Sequence, residues 1–258
     1  MKQTTSIVNR VKTELASNNV VCGCMVAEVR TPAIAMILES AGLDFFIIDM
    51  EHGTFNYESM NDMILACRGL RIAPFVRVPA IERQAFQKPL DAGAAGLLVP
   101  RVETKQQVEE CLDFMRYAPA GSRGLSLRRA HSGFTKQNAF QFTEAANDNV
   151  MLMVQIETER GVENIDSICE ATGIDVLFVG PSDLTHSYGE DRADAVQQAI
   201  QRVIEVGKRN SIATGIHHAD LDLVAGFVEQ GMRFISGNTE VGAIISVFAQ
   251  MEQTLRRK

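Results

Sequence analysis

Short apolar runs rich in β-branched residues alternate along the chain with longer segments whose apolar residues recur at the helical period. The runs predict strands over 20–27, 44–49, 73–78, 96–100, 150–156, 176–180, 212–216 and 233–236. Helices are predicted over 32–40, 57–69, 81–91, 104–115, 161–171, 191–209, 220–230 and 240–256, several ending at a glycine stop such as "AG" at 41–42 or "QG" at 230–231. Eight strands, each followed by a helix, predict an α/β fold: a (β/α)8 TIM barrel forming a single domain over 1–258. The rival is a doubly wound open sheet. Against it, the first strand runs into "EVRTPA" without a G-x-G-x-x-G turn, and no G-x-x-x-x-G-K-[ST] loop occurs. The interval 116–149 breaks the rhythm. With "APAGSRGLSLRRAHSGF" and a short helix at 139–147, it is expected to be an extended insertion over the C-terminal face of the barrel.

Composition narrows the function classes. A chain of 258 residues with 46% hydrophobic and 22% charged residues buries a large core and is not disordered. A formal charge of −7 disfavours nucleic acid and anionic membranes as partners, and the one basic cluster, "RRAHSGFTK" at 128–136, is short. The N-terminus lacks a continuous apolar stretch and no charge-free apolar run is long enough to span a bilayer, so a cytoplasmic protein is expected. The cysteines at 22, 24, 67, 111 and 169 are odd in number and read as reduced thiols packed as small hydrophobes. "CGC" at 22–24 leaves a soft-metal site open, without another Cys pair to support it.

A barrel of this kind carries its chemistry just past the C-terminal ends of its strands. Asp49, Glu51 and His52 follow the second predicted strand in "FFIIDMEHGTFN", and Arg77 ends the third in "PFVRVP". Gln155 and Glu157 flank the end of the fifth, and Ser182 and Asp183 follow the sixth in "LFVGPSDL". Each has an ordinary structural use: Asp and Ser cap helices, Glu157 suits the first turn of a helix, and an Arg at a strand end pairs on the surface. Together they supply the parts of one reaction. Glu157 and Asp183 form an oxygen half-shell for a hard divalent cation, with positions left for a bidentate 2-oxo acid. Such a cation stabilises an enolate, and Arg77 adds a second electrophile. His52 is the proton-transfer group, with Asp49 expected to fix its tautomer. A lysine Schiff base is the alternative route to such carbon–carbon chemistry, but none of Lys2, Lys12, Lys88, Lys105, Lys136, Lys208 and Lys258 ends a predicted strand.

These residues carry a resemblance. "IIDMEHG", "VRVP", "LDAGAAGLLVPRVET", "YAPAGSRGLS", "VQIETERGVENID" and "LFVGPSDLTHSYG", in order over about 20–240, resemble the class II pyruvate aldolases of the HpcH/HpaI family, which include 4-hydroxy-2-oxo-heptanedioate, 2-keto-3-deoxy-L-rhamnonate and 2-dehydro-3-deoxyglucarate aldolases. The resemblance implies a phosphoenolpyruvate/pyruvate-binding barrel that cleaves a 4-hydroxy-2-oxo acid to pyruvate and an aldehyde with Mg2+, Mn2+ or Co2+. It implies Glu157 and Asp183 as metal ligands, Arg77 beside the pyruvyl oxygen and a His52–Asp49 dyad. It further implies Gln155 in the site, Pro181–Ser182 at the pyruvyl carboxylate, and Glu51 as a support for the metal's water shell. A hexamer built as a trimer of dimers is implied, with the 240–258 helix packing on a neighbouring subunit.

Three stretches depart from the expected pattern: Thr239 and Glu240 stand where an aspartate is expected, His131 follows "RRA", and the His217–His218 pair ends strand seven. One of the paired imidazoles either touches the distal part of the substrate or belongs to a polar loop. Two other readings stay open, a 2-oxo acid decarboxylase using the same enolate site and a non-catalytic 2-oxo acid-binding barrel.

Overall fold

The computed structural model describes residues 9–189 and 191–256. Eight strands close into a barrel in sequence order: β1 (Val21–Val26), β2 (Phe45–Asp49), β3 (Ala73–Arg77), β4 (Gly96–Val99), β5 (Met151–Ile156), β6 (Val176–Val179), β7 (Ala213–His218) and β8 (Phe234–Thr239). Neighbouring strands pair in parallel, and β8 closes onto β1. The helices are α1 (Arg10–Ala16), α2 (Ile34–Ser40), α3 (Tyr57–Ala66), α4 (Arg83–Ala92), α5 (Lys105–Met115), α6 (Ala139–Asn149), α7 (Glu159–Glu163), α8 (Ile165–Ile168), α9 (Pro181–Tyr188), α10 (Ala193–Asn210), α11 (Leu221–Glu229) and α12 (Glu240–Arg256). The (β/α)8 expectation holds. The helix read over 161–171 is broken at Asn164 into α7 and α8, and α1 and α9 were not predicted.

Strand parity divides the core in two. One set of side chains, among them Met25, Phe45, Phe75, Met153, Phe178 and Phe234, fills the barrel. Phe234 stacks on Phe45 with centroids 4.0 Å apart, and Phe75 meets both rings edge-on. Gly23 makes this packing possible, since a Cβ there would lie 2.4 Å from the Phe45 ring. The other set, including Phe46, Ile48, Val76, Leu97, Val154 and Leu177, faces the helices. Strands buried on both faces explain why the sequence shows near-continuous apolar runs rather than alternation.

The inward parity turns polar at the C-terminal end. Continuing Phe45, Ile47 gives Asp49; Ala73, Phe75 gives Arg77; and Met151, Met153 gives Gln155 and then Glu157. The same rule resolves the His217–His218 pair. β7 runs two residues beyond its predicted end, so its final residues are strand residues on opposite faces.

The interval 116–149 follows α5 and therefore joins a helix to a strand. It does not cover the C-terminal face of its own barrel, as expected from sequence, because a chain leaving the end of a barrel helix emerges at the opposite face. It crosses the outside of α4, where Arg123 pairs with Asp91 at 2.9 Å and stacks on Tyr117. His131 Nδ1 lies 3.0 Å from the Asp91 carbonyl, and Arg68 donates to the Ala130 carbonyl. α6 then closes at the strand starts, where Asn9 Nδ2 donates to Asn149 O at 3.0 Å and to Ala95 O at 2.9 Å.

Candidate active site

A cavity of about 220 Å³ opens at the C-terminal end of the barrel, lined by Asp49, His52, Arg77, Gln155, Ser182 and Asp183 among others. Residues from four predicted strand ends thus meet in one place. His217 joins them from β7, and Thr239, noted in the sequence only as a departure, from β8; sequence reasoning left out Met25, Ala27, Phe178 and Gly180, which also form its wall. Apolar lining of this kind carries no local signal and is found only by closing the barrel.

Asp49 and Arg77 are register partners on β2 and β3. Arg77 donates through Nε to Asp49 Oδ1 at 2.9 Å and through Nη2 to Oδ2 at 2.6 Å, with both side chains buried. Burial alone would raise the Asp49 pKa, but the guanidinium and the backbone N–H groups of His52 and Glu51 more than offset it and hold the carboxyl below its ordinary range. The same pairing overcomes the desolvation of Arg77 and pushes its pKa up. Asp49 therefore does not orient the His52 ring, as expected from sequence. Both its oxygens are taken by Arg77, and it contacts only the His52 backbone N–H, at 3.2 Å. The His52 imidazole is two-thirds exposed, with Nε2 3.8 Å from Glu51 Oε2. Glu51 reaches Arg77 Nη1 at 3.2 Å and links the imidazole to the guanidinium.

Glu157 is 2% exposed. Its Oε1 accepts the Arg101 N–H at 2.8 Å and its Oε2 accepts from Gln155 Nε2. Gly180 leaves the room for this arrangement, since a Cβ there would lie 2.6 Å from Glu157 Oε2 and 2.7 Å from Gln155 Nε2. Burial first, then the Asp183 and Glu51 charges, push the Glu157 pKa up to about 7. Burial likewise raises Glu51, with further pushes from Asp49 and Asp183. Four carboxylates converge on a site whose one permanent cation among the described residues, Arg77, is already engaged by two of them. Gln155 Oε1 is buried without a hydrogen-bond partner among the described residues. An oxygen-rich cradle short of positive charge fits a hard divalent cation. Among the described residues no three His, Cys, Asp or Glu side chains gather into a metal cage.

Asp183 lies in the first turn of α9, which begins at Pro181 after Gly180 and has no side-chain cap. The first-turn N–H groups of Ser182 and Asp183 lack intrahelical partners and stand at the cavity, where helix geometry favours an anion.

The thiols do not form a second site. The five cysteines are free, and Cys24, Cys67 and Cys111 are buried with pKa pushed up to about 12 by desolvation. Cys22 is exposed rather than packed, contrary to the sequence reading. Among the described residues no helix is long and apolar enough to cross a membrane.

Residues 24–246 match the family model described as HpcH/HpaI aldolase/citrate lyase. The chain belongs to this family. A relative from Shigella boydii serotype 18 named 5-keto-4-deoxy-D-glucarate aldolase is 31% identical, over 96% of this chain and 97% of its own. The HpcH/HpaI aldolase from Desulfitobacterium hafniense superposes with a TM-score of 0.91 at 28% identity, covering 96% of both chains. A family protein from Burkholderia cenocepacia also gives 0.91, at 30% identity over 97% of this chain and all of its own. As an HpcH/HpaI aldolase the chain is a carbon–carbon lyase. The sequence resemblance and the barrel expectation are both borne out.

Proposed function

We propose that this chain cleaves a 4-hydroxy-2-oxo acid reversibly to pyruvate and an aldehyde, with a divalent cation at Glu157 and Asp183. The observation that carries the reading is the meeting of Asp183, the Asp49–Arg77 fork, His52 and the α9 N-terminus in one small cavity, with Glu157 joined to its wall through Gln155 and close enough to feel the Asp183 charge. Mg2+, Mn2+ or Co2+ on the two carboxylates would supply Lewis-acid stabilisation of the negative charge that develops on the 2-oxo oxygen.

The chain's own groups account for the remaining work. The first-turn N–H groups of α9 hold the substrate carboxylate. Arg77, kept charged and oriented by Asp49, places positive charge at the 2-oxo oxygen. His52 takes the proton of the C4 hydroxyl as the C3–C4 bond breaks and the aldehyde forms; C3 then takes up a proton to give pyruvate. Glu51, between Arg77 and His52, supports the imidazolium formed on the way.

The working unit is proposed to be a homo-oligomer, a hexamer arranged as a trimer of dimers. Supporting this, α12 exposes Ile244, Ile245, Val247, Phe248, Met251 and Leu255, an apolar face too large for a solvated helix.

Pyruvate release from a panel of 4-hydroxy-2-oxo acids tests the function. Release is expected to stop with a chelator and return on adding Mg2+, Mn2+ or Co2+; full activity in metal-stripped enzyme would overturn the reading.

A further inference from the structure

The cavity wall built by β7, β8 and β1 carries polar groups that the reaction above does not use. His217 and Ser236 are register partners on β7 and β8 and both turn into the barrel, whereas His218 turns out and accepts the Asp220 N–H at Nδ1. Ser236 is fully buried, and its Oγ lies 2.9 Å from His217 Nδ1, its one hydrogen-bond partner among the described residues. A buried hydroxyl has one proton to place. Were Nδ1 protonated, the Ser236 proton would have no acceptor, so the hydroxyl donates to Nδ1 and the ring proton sits on Nε2. Nε2 makes no hydrogen bond to another described residue, and the ring lines the cavity. Burial, then the nearby Arg77 charge, lower the His217 pKa to about 4, so the ring is neutral at physiological pH. Beside it, Thr239 Oγ1 accepts the Gly242 N–H at 3.0 Å, which leaves its own proton for the cavity. Met25 and Ala27 complete this wall. It presents two neutral donors and no uncommitted cation.

Resting on the pyruvate-aldolase reading, we propose that His217 is a specificity-determining residue whose Nε2–H, together with the Thr239 hydroxyl, binds the oxygen of a hydroxyl group adjacent to the aldehyde carbon. The preferred partner of pyruvate is then an α-hydroxy aldehyde. An alkyl aldehyde strips both donors of water and returns no acceptor. An aldehyde ending in a carboxylate finds no free cation among the described residues of this wall, because Arg77 is held by Asp49 and Glu51.

The test compares kcat/KM for addition of pyruvate to glycolaldehyde and to acetaldehyde, which differ by one hydroxyl, in wild type, H217L and H217Q. Wild type is expected to favour glycolaldehyde by about tenfold or more. H217L should lower that ratio about tenfold, and H217Q, which keeps an N–H donor, should restore most of it. An unchanged ratio in H217L, or equal loss on both aldehydes, overturns the proposal. Deuterium exchange at the pyruvate methyl of the wild-type, metal-loaded enzyme is measured first, because it needs no aldehyde. Its absence would overturn the aldolase reading itself; exchange without a glycolaldehyde preference would overturn only the role of His217.

Discussion

Arg77 and Asp49 face each other across neighbouring strands in a two-point fork, 2.9 Å at one pair of atoms and 2.6 Å at the other, buried beneath the cavity. Asp49→Ala leaves the guanidinium buried with Glu51 as its one remaining partner among the described residues. Breaking a buried pair from one side costs about 3–5 kcal/mol, so urea unfolding should show a loss of that order. Arg77→Lys keeps the charge but cannot fork; pyruvate release should fall about a hundredfold with a smaller change in stability.

Metal affinity is expected to depend on the proton carried by Glu157. Its folded pKa of about 7 lies above its ordinary 4.5, so the folded metal-free protein holds an extra proton between those values. From this group, the stability of the metal-free protein falls as pH rises through that window and levels off above about 7. Metal binding expels the proton. Affinity should weaken about tenfold per pH unit below 7, with proton release visible by calorimetry in buffers of different ionisation enthalpy.

Gly180→Ala puts a methyl group 2.6 Å from Glu157 Oε2. The Gly180 backbone φ of −105° suits alanine, so the harm should fall on the carboxylate. A loss of roughly ten- to a hundredfold in metal affinity is expected by titration, with little change in thermal stability. Asp183→Ala should abolish metal binding altogether.

Glu240 organises the loop after β1. Its Oε1 accepts the N–H groups of Ala27, Glu28 and Val29 at 2.9, 2.7 and 2.9 Å. Glu240→Ala deprives three amides of one acceptor and should cost about 2–3 kcal/mol. Because Ala27 lines the cavity, KM for the aldehyde is expected to rise more than kcat falls.

The assembly is testable at α12. Phe248→Glu places a charge on its exposed apolar face and should shift the particle to a smaller species in light scattering.

Much of the site was legible in the chain. Glu157, Asp183, Arg77, His52, Asp49 and Gln155 stand at or just past the ends of strands whose limits were predicted within a residue or two, and barrel logic alone brings such positions to one rim. Partner choice was not legible. Asp49 lies three residues from His52 and pairs with Arg77, because β2–β3 register sets the two side chains side by side and three-residue spacing in a loop does not. α9 was missed because "PSDLTHSY" is short and weakly amphipathic, and its start depends on Pro181 following a strand end.

What the sequence by itself determined, then, was the alternation of strands and helices and the placing of reactive groups at strand ends. Both are local: a period of two or 3.6 and a turn signal are written within a dozen residues. Only the tertiary structure decided which side chains meet. Closing the barrel split His217 from His218, joined His217 to Ser236, left Glu157 against Asp183 and Glu51, and sent 116–149 across α4 instead of over the cavity. Those outcomes follow from register and strand parity between segments far apart in the chain, which no local pattern encodes.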